Sequence, residues 1–452
     1  MKKLKMSRRL TPVQMIVLYY VLATLLSTFL LWLPIFHQPH VNLSFIDALF
    51  TATSAISVTG LGVVSTADTF NVAGTLVLAV ILQFGGIGIL TLGTFIWIVL
   101  GRKIGLEERK WIAIDQNRLS MSGLVALMQR ILYMSLVIEA IGTLLLGSYF
   151  LYTNRFPTWY EAYYYGLFTA ISAYTNAGFD IFGNSLYSFA HDYFVQTINM
   201  LLMIVGSVGF PVLLEVREYL YQKKHLKKNY RFSLYAKLTS FTFFALIVIG
   251  ALLFLLFEKN AFLAGKTWHE SLFYSLFNSV TTRNGGLATM DVGVLTVPTL
   301  LMMSILMFIG ASPSSVGGGI RTTTFAVIVL TILAFVRGKK EVKIFHREIH
   351  PEDIFKSFVV FFVAMSLVMI SVITLAAIEP FPLMAIIFEA FSAFGTTGLS
   401  MGITPDLSIA GKCIIMGLMF IGRIGIISFL FLLKKEETKD VYHYPKERIM
   451  IG

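Results

Sequence analysis

Four segments of similar sequence recur along the chain, and each ends near a glycine that holds the same place in the pattern. The segments are SFIDALFTATSAISVTGL at 44–61, TWYEAYYYGLFTAISAYTNAGF at 158–179, TWHESLFYSLFNSVTTRNGGL at 267–287 and PLMAIIFEAFSAFGTTGL at 382–399. Aligned on that glycine, they give Gly60, Gly178, Gly286 and Gly398, at spacings of 118, 108 and 112 residues. A repeat of nearly fixed period indicates one structural unit used several times. The sequence therefore predicts four copies of one unit, and this restricts the fold more than any other feature.

The composition places these units in a membrane. Hydrophobic residues make up 56% of the 452 residues and charged residues only 13%, against roughly 45–50% and 25% in soluble domains. So few charges cannot cover a soluble surface, and we expect helices that face lipid. The chain has one cysteine, Cys413, which cannot form an internal disulfide.

The positive charges indicate how the chain crosses the membrane. Of the 36 Lys and Arg residues, 28 fall in five clusters, at 1–10, 101–118, 217–237, 337–356 and 434–448. By the positive-inside rule these clusters face the cytoplasm. Each apolar stretch between them then leaves and returns to the same side, and both termini are cytoplasmic. The net charge of +11 is therefore a topology signal with some attraction to anionic lipid, and nucleic acid is not an expected partner.

We divide the chain into four repeats, each with two spanning helices and one half-helix. The predicted boundaries are 1–118, 119–235, 236–354 and 355–433, followed by a cytoplasmic tail at 434–452. The apolar stretches are 77–99 residues long, which exceeds two spanning helices of about 20 residues each. The predicted fold is an all-α polytopic membrane protein with eight spanning helices and four half-helices around a pseudo-four-fold pore.

The extra segment in each repeat begins with residues that cap helices. Ser44 with Asp47, Thr158 with Glu161 and Thr267 with Glu270 fit the capping box, and Pro382 suits a first helical turn. About 12 residues separate each cap from the break, or roughly 18 Å of helix, about half of a bilayer. These half-helices enter from outside and stop midway. The three acids could also concentrate cations at the outer mouth, although capping is the favoured role.

The residues after each half-helix are typical of an ion filter. A half-helix directs the negative end of its dipole toward the bilayer centre, and extended, glycine-rich backbone can present carbonyl oxygens to a dehydrated cation. The predicted cation filter consists of Ser57, Val58, Thr59, Gly60, Thr175, Asn176, Ala177, Gly178, Arg283, Asn284, Gly285, Gly286, Gly395, Thr396, Thr397 and Gly398. The Arg283 side chain is expected to point behind the filter or outward. The alternative is four re-entrant turns with purely structural glycines.

The second spanning helix of each repeat also contains a glycine-rich break. The four stretches are FGGIGIL at 84–90, IVGSVGF at 204–210, FIGASPSSVGGGI at 308–320 and FIGRIGII at 420–427. The third predicts an irregular loop inside the membrane, below the filter, because such a run cannot be a regular helix facing lipid. The predicted gate consists of Gly310, Ala311, Ser312, Pro313, Ser314, Ser315, Val316, Gly317, Gly318, Gly319 and Arg423. A structural kink at the loop, and a structural tether at Arg423, are the alternatives.

Together these features resemble the Trk/Ktr/HKT superfamily of potassium transporters, most closely the Ktr membrane subunits (KtrB or KtrD). The resemblance covers nearly the whole chain and rests on the four filter glycines, the loop at 310–320 and the arginine in FIGRIG. It implies K⁺ uptake down the electrochemical gradient, with the pore gated by the loop and Arg423. Gly60 matches the potassium-selective pattern of this superfamily, whereas Arg283, Asn284 and Gly285 make the third filter segment asymmetric.

The resemblance also implies an assembly in the plasma membrane. The chain would form a homodimer with one pore per subunit, and a cytosolic ring of nucleotide-binding regulatory subunits (KtrA/KtrC-like) would dock on its inner face. Nucleotide is expected only on that partner, and no cofactor in this chain. K⁺ is the transported ion, with Na⁺ as a possible activator. The basic stretch 217–231 and the tail 434–452 are the expected docking surfaces, and they serve equally well as orientation and lipid-attraction signals.

Three other functions remain as alternatives. A less selective Na⁺/K⁺ pathway would use the same four segments. A secondary transporter for a small solute predicts midplane carboxylates and two- or three-fold repeats. A membrane-embedded enzyme requires a His, Asp or Glu cluster at depth, where Glu139 and Glu389 are almost the only acids. Both of the last two fit less well than a pore, so we expect a transport protein that is not an enzyme.

Overall fold

The computed structural model describes residues 11–88, 91–93, 105, 123–225, 230–433, 445, 447 and 449–450. Within them the regular secondary structure is helical, apart from a two-stranded antiparallel hairpin, β1 (Lys343–Ile344) and β2 (Arg347–Glu348). The all-helical class predicted from the sequence is confirmed. The predicted basic clusters at 1–10 and 101–118 and the tail 434–452 lie almost wholly outside the described residues.

In the described part of the chain, the α-helices fall into four sets of four. The first contains α1 (Pro12–Trp32), α2 (Phe45–Ser57), α3 (Thr66–Thr69) and α4 (Val72–Ile87). The second contains α5 (Leu124–Tyr152), α6 (Trp159–Tyr174), α7 (Tyr193–Val208) and α8 (Phe210–His225). The third contains α9 (Leu234–Glu258), α10 (Trp268–Thr281), α11 (Val297–Ile309) and α12 (Thr322–Val336). The fourth contains α13 (Pro351–Ile378), α14 (Leu383–Gly395), α15 (Ile409–Ile424) and α16 (Ile426–Leu433).

The first helix of each set is long and apolar enough to cross a membrane. These helices are α1, α5, α9 and α13. Large apolar side chains stand exposed along them, for example Leu26 on α1, Leu144 on α5 and Phe241 on α9. Exposed apolar surface of this extent is stable only in contact with lipid. The polytopic membrane class is thus confirmed.

In each set, the helix that follows the long first helix corresponds to the half-helix predicted from the capping residues. These pore helices, α2, α6, α10 and α14, have 13, 16, 14 and 13 residues. Their N-cap residues are Ser44, Thr158, Thr267 and Pro382. The first three are caps as predicted, whereas Pro382 was expected in the first helical turn and lies one residue before it. In α10 the Glu270 carboxylate accepts a hydrogen bond of 2.9 Å from the backbone N–H of Thr267, which completes the capping box.

The second long helix of each set ends or bends at a glycine in the predicted stretch. The helices α7 and α8 meet at Gly209 at an angle of 102°, and α15 and α16 meet at Gly425 at 103°. Each of these glycines has positive φ, which side-chain-bearing residues rarely adopt. In the first set, α4 ends before Gly88, whose φ is also positive. In the third, residues 310–321 separate α11 from α12.

The four sets form a closed ring. The helices α4, α7, α11 and α15 each lead away from the filter segment of their own set. Each packs against the pore helix of the next set, through the pairs α4–α6, α7–α10, α11–α14 and α15–α2. The last pair joins the end of the chain to its beginning. Every residue of α2 from Ala48 to Ser57 except Leu49 is buried, so the pore helices form the centre of the molecule and the long first helices surround them.

Candidate functional site

The four glycines predicted from the repeat lie next to one another at the centre of the ring. A Cβ atom placed on Gly60 would lie 2.5 Å from the carbonyl oxygen of Ala177, and one on Gly178 would lie 2.9 Å from Cα of Gly286. A Cβ on Gly286 would lie 2.5 Å from the carbonyl oxygen of Thr397, and one on Gly398 would collide with that of Thr59. Each glycine therefore contacts the next segment, and the fourth contacts the first. Four strands of backbone converge so closely that only glycine fits.

The four segments also share one backbone conformation. The residue two positions before each glycine has a left-handed conformation, at Val58 (φ 56°), Asn176 (55°), Asn284 (73°) and Thr396 (51°). The glycines themselves have φ of 91°, 67°, 72° and 91°, and the residues between have negative φ. Alternating hand orients successive peptide groups the same way, as in anion-binding nests, where it is the N–H groups that converge. The four segments therefore repeat one local backbone geometry around the ring.

Buried hydroxyl groups hold these strained segments against their pore helices. Ser54 accepts a hydrogen bond of 3.0 Å from the N–H of Gly60, and Ser392 accepts one of 3.1 Å from the N–H of Gly398. In the second segment Ser172 instead donates to the carbonyl of Phe179 (2.5 Å), and in the third Thr281 donates to that of Leu287 (2.6 Å). The hydroxyls thus bind the N–H groups of two filter glycines and the carbonyls of the residues that follow the other two.

A vestibule opens directly outside the glycines. The cavity has a volume of about 210 Å³, and all four filter glycines contribute to its wall. Of the described residues that line it, Asp180 is the acidic one, and hydroxyls of Ser65, Ser185 and Ser400 lie around it. Burial raises the pKa of the Asp180 carboxyl, although N–H groups of Phe182 and Gly183 donate to it. The sequence analysis missed Asp180; its place two residues after Gly178 was the available signal.

Two of the three acids that were considered for the outer mouth have other partners. The Asp47 carboxylate forms an ion pair of 2.8 Å with Lys412 and accepts from Ser44 at 2.7 Å. Glu270 forms its capping contacts and lies 3.3 Å from His191. The vestibule wall does not include Asp47, Glu161 or Glu270 among its described residues.

The third segment departs from the other three. The Arg283 side chain is buried behind the filter, where it donates to the carbonyls of Leu306 and Gly310. Its own carbonyl accepts a 2.8 Å hydrogen bond from Ser207. The amide of Asn284 donates to the carbonyls of Gly395 and Thr396 in the fourth segment. The carbonyls of Arg283, Gly395 and Thr396 are thus hydrogen-bonded within the protein.

The loop between α11 and α12 packs against the ring on the side away from the vestibule. A Cβ on Gly317 would lie 2.6 Å from the Asn284 side chain, and one on Gly318 would lie 2.6 Å from the Thr396 hydroxyl. The loop therefore fills the space below the third and fourth segments. Its remaining members, residues 310–316 and 319, lie beside these two glycines, with Ala311, Ser312, Ser315 and Val316 buried and Pro313 and Ser314 half-buried.

The neighbouring helices hold this loop at several points. The N–H of Ser312 donates to the carbonyl of Ser207 (3.1 Å), and Tyr235 donates to that of Pro313 (2.6 Å). The Ser314 carbonyl accepts from the N–H of Phe210 at 2.9 Å. These bonds come from the second and third sets of helices, so the loop is fixed from two sides.

Arg423 fixes the loop from a third side. Its guanidinium donates to the carbonyl of Val316 in the loop and to the carbonyl of Gly85 at the end of α4. Glu139, considered above as a carboxylate at membrane depth, accepts from the amide of Gln83. Arg423 also lines a cavity of about 90 Å³ beneath the loop, together with Ser314, Ser315 and Arg321. A charged side chain thus links the fourth set, the first set and the loop.

The fold and site define a polytopic helical membrane protein in which four glycine segments meet at the centre and an irregular loop packs against them. The sequence profile of TrkH, described as a cation transport protein, matches residues 2–443. The chain therefore belongs to the TrkH cation transport family. The expectation of a transport protein that is not an enzyme is confirmed by this membership.

The related proteins match this chain over nearly its full length. The chain is 54% identical to the Ktr system potassium uptake protein D of Bacillus subtilis, over 99% of each chain. It is 35% identical to the potassium/sodium uptake protein NtpJ of Enterococcus hirae, over 100% of this chain and 99% of that one. The potassium transporter TrkH of Vibrio parahaemolyticus has the same fold, with a TM-score of 0.70 at 17% identity over 94% of this chain and 86% of that one. The resemblance stated from the sequence is confirmed.

Proposed function

We propose that this chain is the potassium-translocating membrane subunit of a Ktr-type uptake system. The observation that carries the proposal is the closed contact of Gly60, Gly178, Gly286 and Gly398. Rings of backbone carbonyls replace the hydration shell of K⁺ in known filters. The full-length relative from B. subtilis is named a potassium uptake protein, which supports K⁺ as the ion.

The ion follows the axis of the ring. It loses water in the vestibule and passes the carbonyls of Thr59, Ala177, Gly285 and Thr397, each one residue before a filter glycine. The loop at 310–320 and Arg423 then close the path below. Val316 and Gly85 hold the guanidinium of Arg423 in place, and opening requires the loop to leave these contacts. The proposal retains the four repeats at 1–118, 119–235, 236–354 and 355–433, although α9 and α13 begin at Leu234 and Pro351, shortly before the third and fourth of these ranges.

The assembly proposed for the chain extends beyond one subunit. It resides in the plasma membrane with both termini in the cytoplasm, as a homodimer with one pore in each subunit. A cytosolic ring of nucleotide-binding subunits docks on its inner face and moves the loop, and the nucleotide binds only that ring. Na⁺ acts as an activator of K⁺ uptake.

A pathway that carries both Na⁺ and K⁺ is the second candidate. It is favoured by the third segment, where Arg283 and Asn284 form hydrogen bonds that the other segments lack. The relative from E. hirae is named a potassium/sodium uptake protein. Fewer free carbonyls on one side of the ring would weaken discrimination between the two ions.

Cation flux into proteoliposomes that hold the purified chain distinguishes these candidates. Uptake of K⁺ or Rb⁺ is compared with uptake of Na⁺, in the unmodified chain and in Gly60→Ser. K⁺-selective flux that loses its selectivity in Gly60→Ser is the expected result. Equal flux of Na⁺ and K⁺ in the unmodified chain would favour the second candidate. If a folded dimer shows no flux, the measurement is repeated with the regulatory ring, and no flux with the ring would overturn the proposal.

A further inference from the structure

Arg283 differs from its counterparts in the other repeats by what its side chain reaches. The residues at the same position, three before the filter glycine, are Ser57, Thr175 and Gly395. Ser57 and Thr175 donate to carbonyls of their own pore helices, and Gly395 has no side chain. Arg283 instead extends to Leu306 and Gly310, at the end of α11 where the loop begins. The long side chain occurs in the repeat whose second helix is interrupted by that loop.

The burial of this cation has a specific physical basis. The side chain is 1% exposed, and its described hydrogen bonds go to carbonyls and not to a carboxylate. Burying a charge without an opposite charge is costly. The carbonyls that end α11 carry the negative end of the helix dipole, which offsets part of that cost. The contact therefore depends on the end of α11 staying where it is.

Two further contacts join the same filter residues to the loop. The hydroxyl of Ser207 donates to the carbonyl of Arg283, while the Ser207 carbonyl accepts from the N–H of Ser312 in the loop. Gly317 packs against the side chain of Asn284. The third filter segment thus contacts the loop directly at Gly310 and Gly317, and Ser207 links it to Ser312. A displacement of the loop must break or rearrange contacts that hold the filter.

We propose that Arg283 is a positioning residue that couples occupancy of the filter by K⁺ to the position of the loop at 310–320. The inference rests on the proposed function, because it assumes that K⁺ binds the ring and that the loop moves. An ion that orders the third segment then favours one position of the loop, and by linkage the loop position alters the affinity for K⁺. The other three segments lack this connection through a charged side chain.

The test measures loop accessibility in the full chain in nanodiscs. The single native cysteine is removed by Cys413→Ser, and Ser314→Cys places a thiol on the half-buried part of the loop beside the inner cavity. The rate of modification by a positively charged methanethiosulfonate is compared in K⁺ and in Na⁺ at equal ionic strength. We expect the two rates to differ about fivefold or more, the lower end of usual coupling between two sites. In Arg283→Gln the difference should disappear.

Two variants keep the result specific. Glu389→Gln removes another charge that is buried beside the filter, but its carboxylate is bonded to Ser400 and Thr404 on the outer side, so the K⁺ effect should persist. Arg283→Lys keeps a cation without the two-pronged guanidinium, so it should fold and show a reduced effect. This variant serves if Arg283→Gln does not fold.

Thermal unfolding in K⁺ and in Na⁺ separates this proposal from the proposed function. If K⁺ fails to stabilise the parent chain and its flux is not selective, the filter assignment is wrong. If K⁺ stabilises the parent but the modification rate is the same in both ions, the filter stands and the coupling is wrong. A K⁺ effect that survives in Arg283→Gln and Arg283→Lys, or that is lost in Glu389→Gln as well, would overturn the role of Arg283.

Discussion

The outer and inner halves of the repeats differ in how alike the four copies are. On the outer side, the four filter segments share a left-handed residue two positions before a positive-φ glycine. On the inner side, α7 and α15 bend by 102° and 103°, α4 ends at Gly88, and α11 is followed by an irregular loop. The repeated unit is thus uniform around the four glycines and varied on the side where the loop packs.

The difference has a physical explanation. A dehydrated cation on an axis is coordinated from all sides, so each repeat must contribute equivalent oxygens. An obstruction needs only one segment long enough to fill the space below, and the other repeats need only hold it. The loop receives hydrogen bonds from Phe210, Tyr235 and Arg423, which belong to three different sets of helices.

The largest expected effect comes from adding a methyl group to the ring. In Gly398→Ala the new Cβ collides with the carbonyl of Thr59 and the residue keeps φ near 91°. We expect K⁺ flux to fall by at least about tenfold, since a loss of 1.4 kcal/mol already produces such a factor. The measurement is Rb⁺ uptake by proteoliposomes at equal protein content.

Gly402 provides the matched control for that substitution. It lies four residues further along, has φ of 88°, and a Cβ there would have nothing within 4 Å. The Gly402→Ala variant suffers the same backbone strain, about 1–2 kcal/mol, without the collision, and should keep most of the flux. Equal loss in both variants would show that strain and not contact in the ring is responsible.

The next effect concerns the inner half. Arg423→Gln removes charge-assisted hydrogen bonds to Val316 and Gly85, each contributing about 1.5–3 kcal/mol to the held position of the loop. We expect K⁺ flux to rise several-fold, as it should when residues 310–320 are shortened. Arg130→Gln is the control, because Arg130 is exposed on α5. Unchanged flux in both the Arg423 and the shortened-loop variants would contradict the gate assignment.

The sequence predicts some features of both halves and not others. The caps at Ser44, Thr158, Thr267 and Pro382 and the positions of the helix breaks follow from local chemistry, since capping and glycine preferences depend on neighbouring residues. The four-fold arrangement followed from the repeat itself. The 102° bend at Gly209 did not, because a glycine permits a bend without setting its angle.

The contacts between repeats could not be read from the sequence. The ties of Ser207 to Arg283 and of Asn284 to Thr396 join residues 76 and 112 positions apart, and no spacing rule connects such positions. Glu139, named above as one of the few acids at depth, accepts from Gln83, which is 56 positions away. The polar side chains beside the filter were visible in the sequence, while their partners depended on how the ring closes.

A smaller effect should follow from weakening the contact between α15 of the fourth set and α2 of the first set. Lys412 on α15 and Asp47 on α2 form an ion pair of 2.8 Å with side chains 12% and 23% exposed. We expect Lys412→Met to lower the free energy of unfolding by about 1–2 kcal/mol, the range for a partly shielded charged hydrogen bond. Thermal unfolding in detergent measures it.

The exposed ion pair Lys356–Glu352 is the control for removing the Lys412–Asp47 ion pair. Its distance is 3.7 Å and its side chains are 58% and 74% exposed, so water screens it and Lys356→Met should change stability by less than about 0.5 kcal/mol. If Lys412→Met is equally neutral, apolar packing of α15 on α2 closes the ring without the ion pair.

The smallest expected effect concerns the vestibule, to whose described wall only the second repeat contributes an acid, Asp180. Burial raises the pKa of Asp180, so its carboxylate takes up a proton at a higher pH than an ordinary aspartate. As external pH falls, the vestibule loses this negative charge and attracts fewer cations. We expect K⁺ flux at low ionic strength to fall by about two- to threefold as Asp180 becomes protonated, since focused charge at a mouth raises local cation concentration.

Asp180→Asn should show the lower flux at every pH, with the pH dependence flattened. Asp406→Asn, which removes an exposed acid that does not line the vestibule, should retain the pH dependence. Raising the salt concentration should reduce the effect in the unmodified chain, because exposed charges are screened within about 10 Å at 0.1 M salt. A pH profile that is the same in Asp180→Asn and in the unmodified chain would assign the titration to another group. The vestibule would then contribute shape to the pathway, and the ring carbonyls alone would attract the ion.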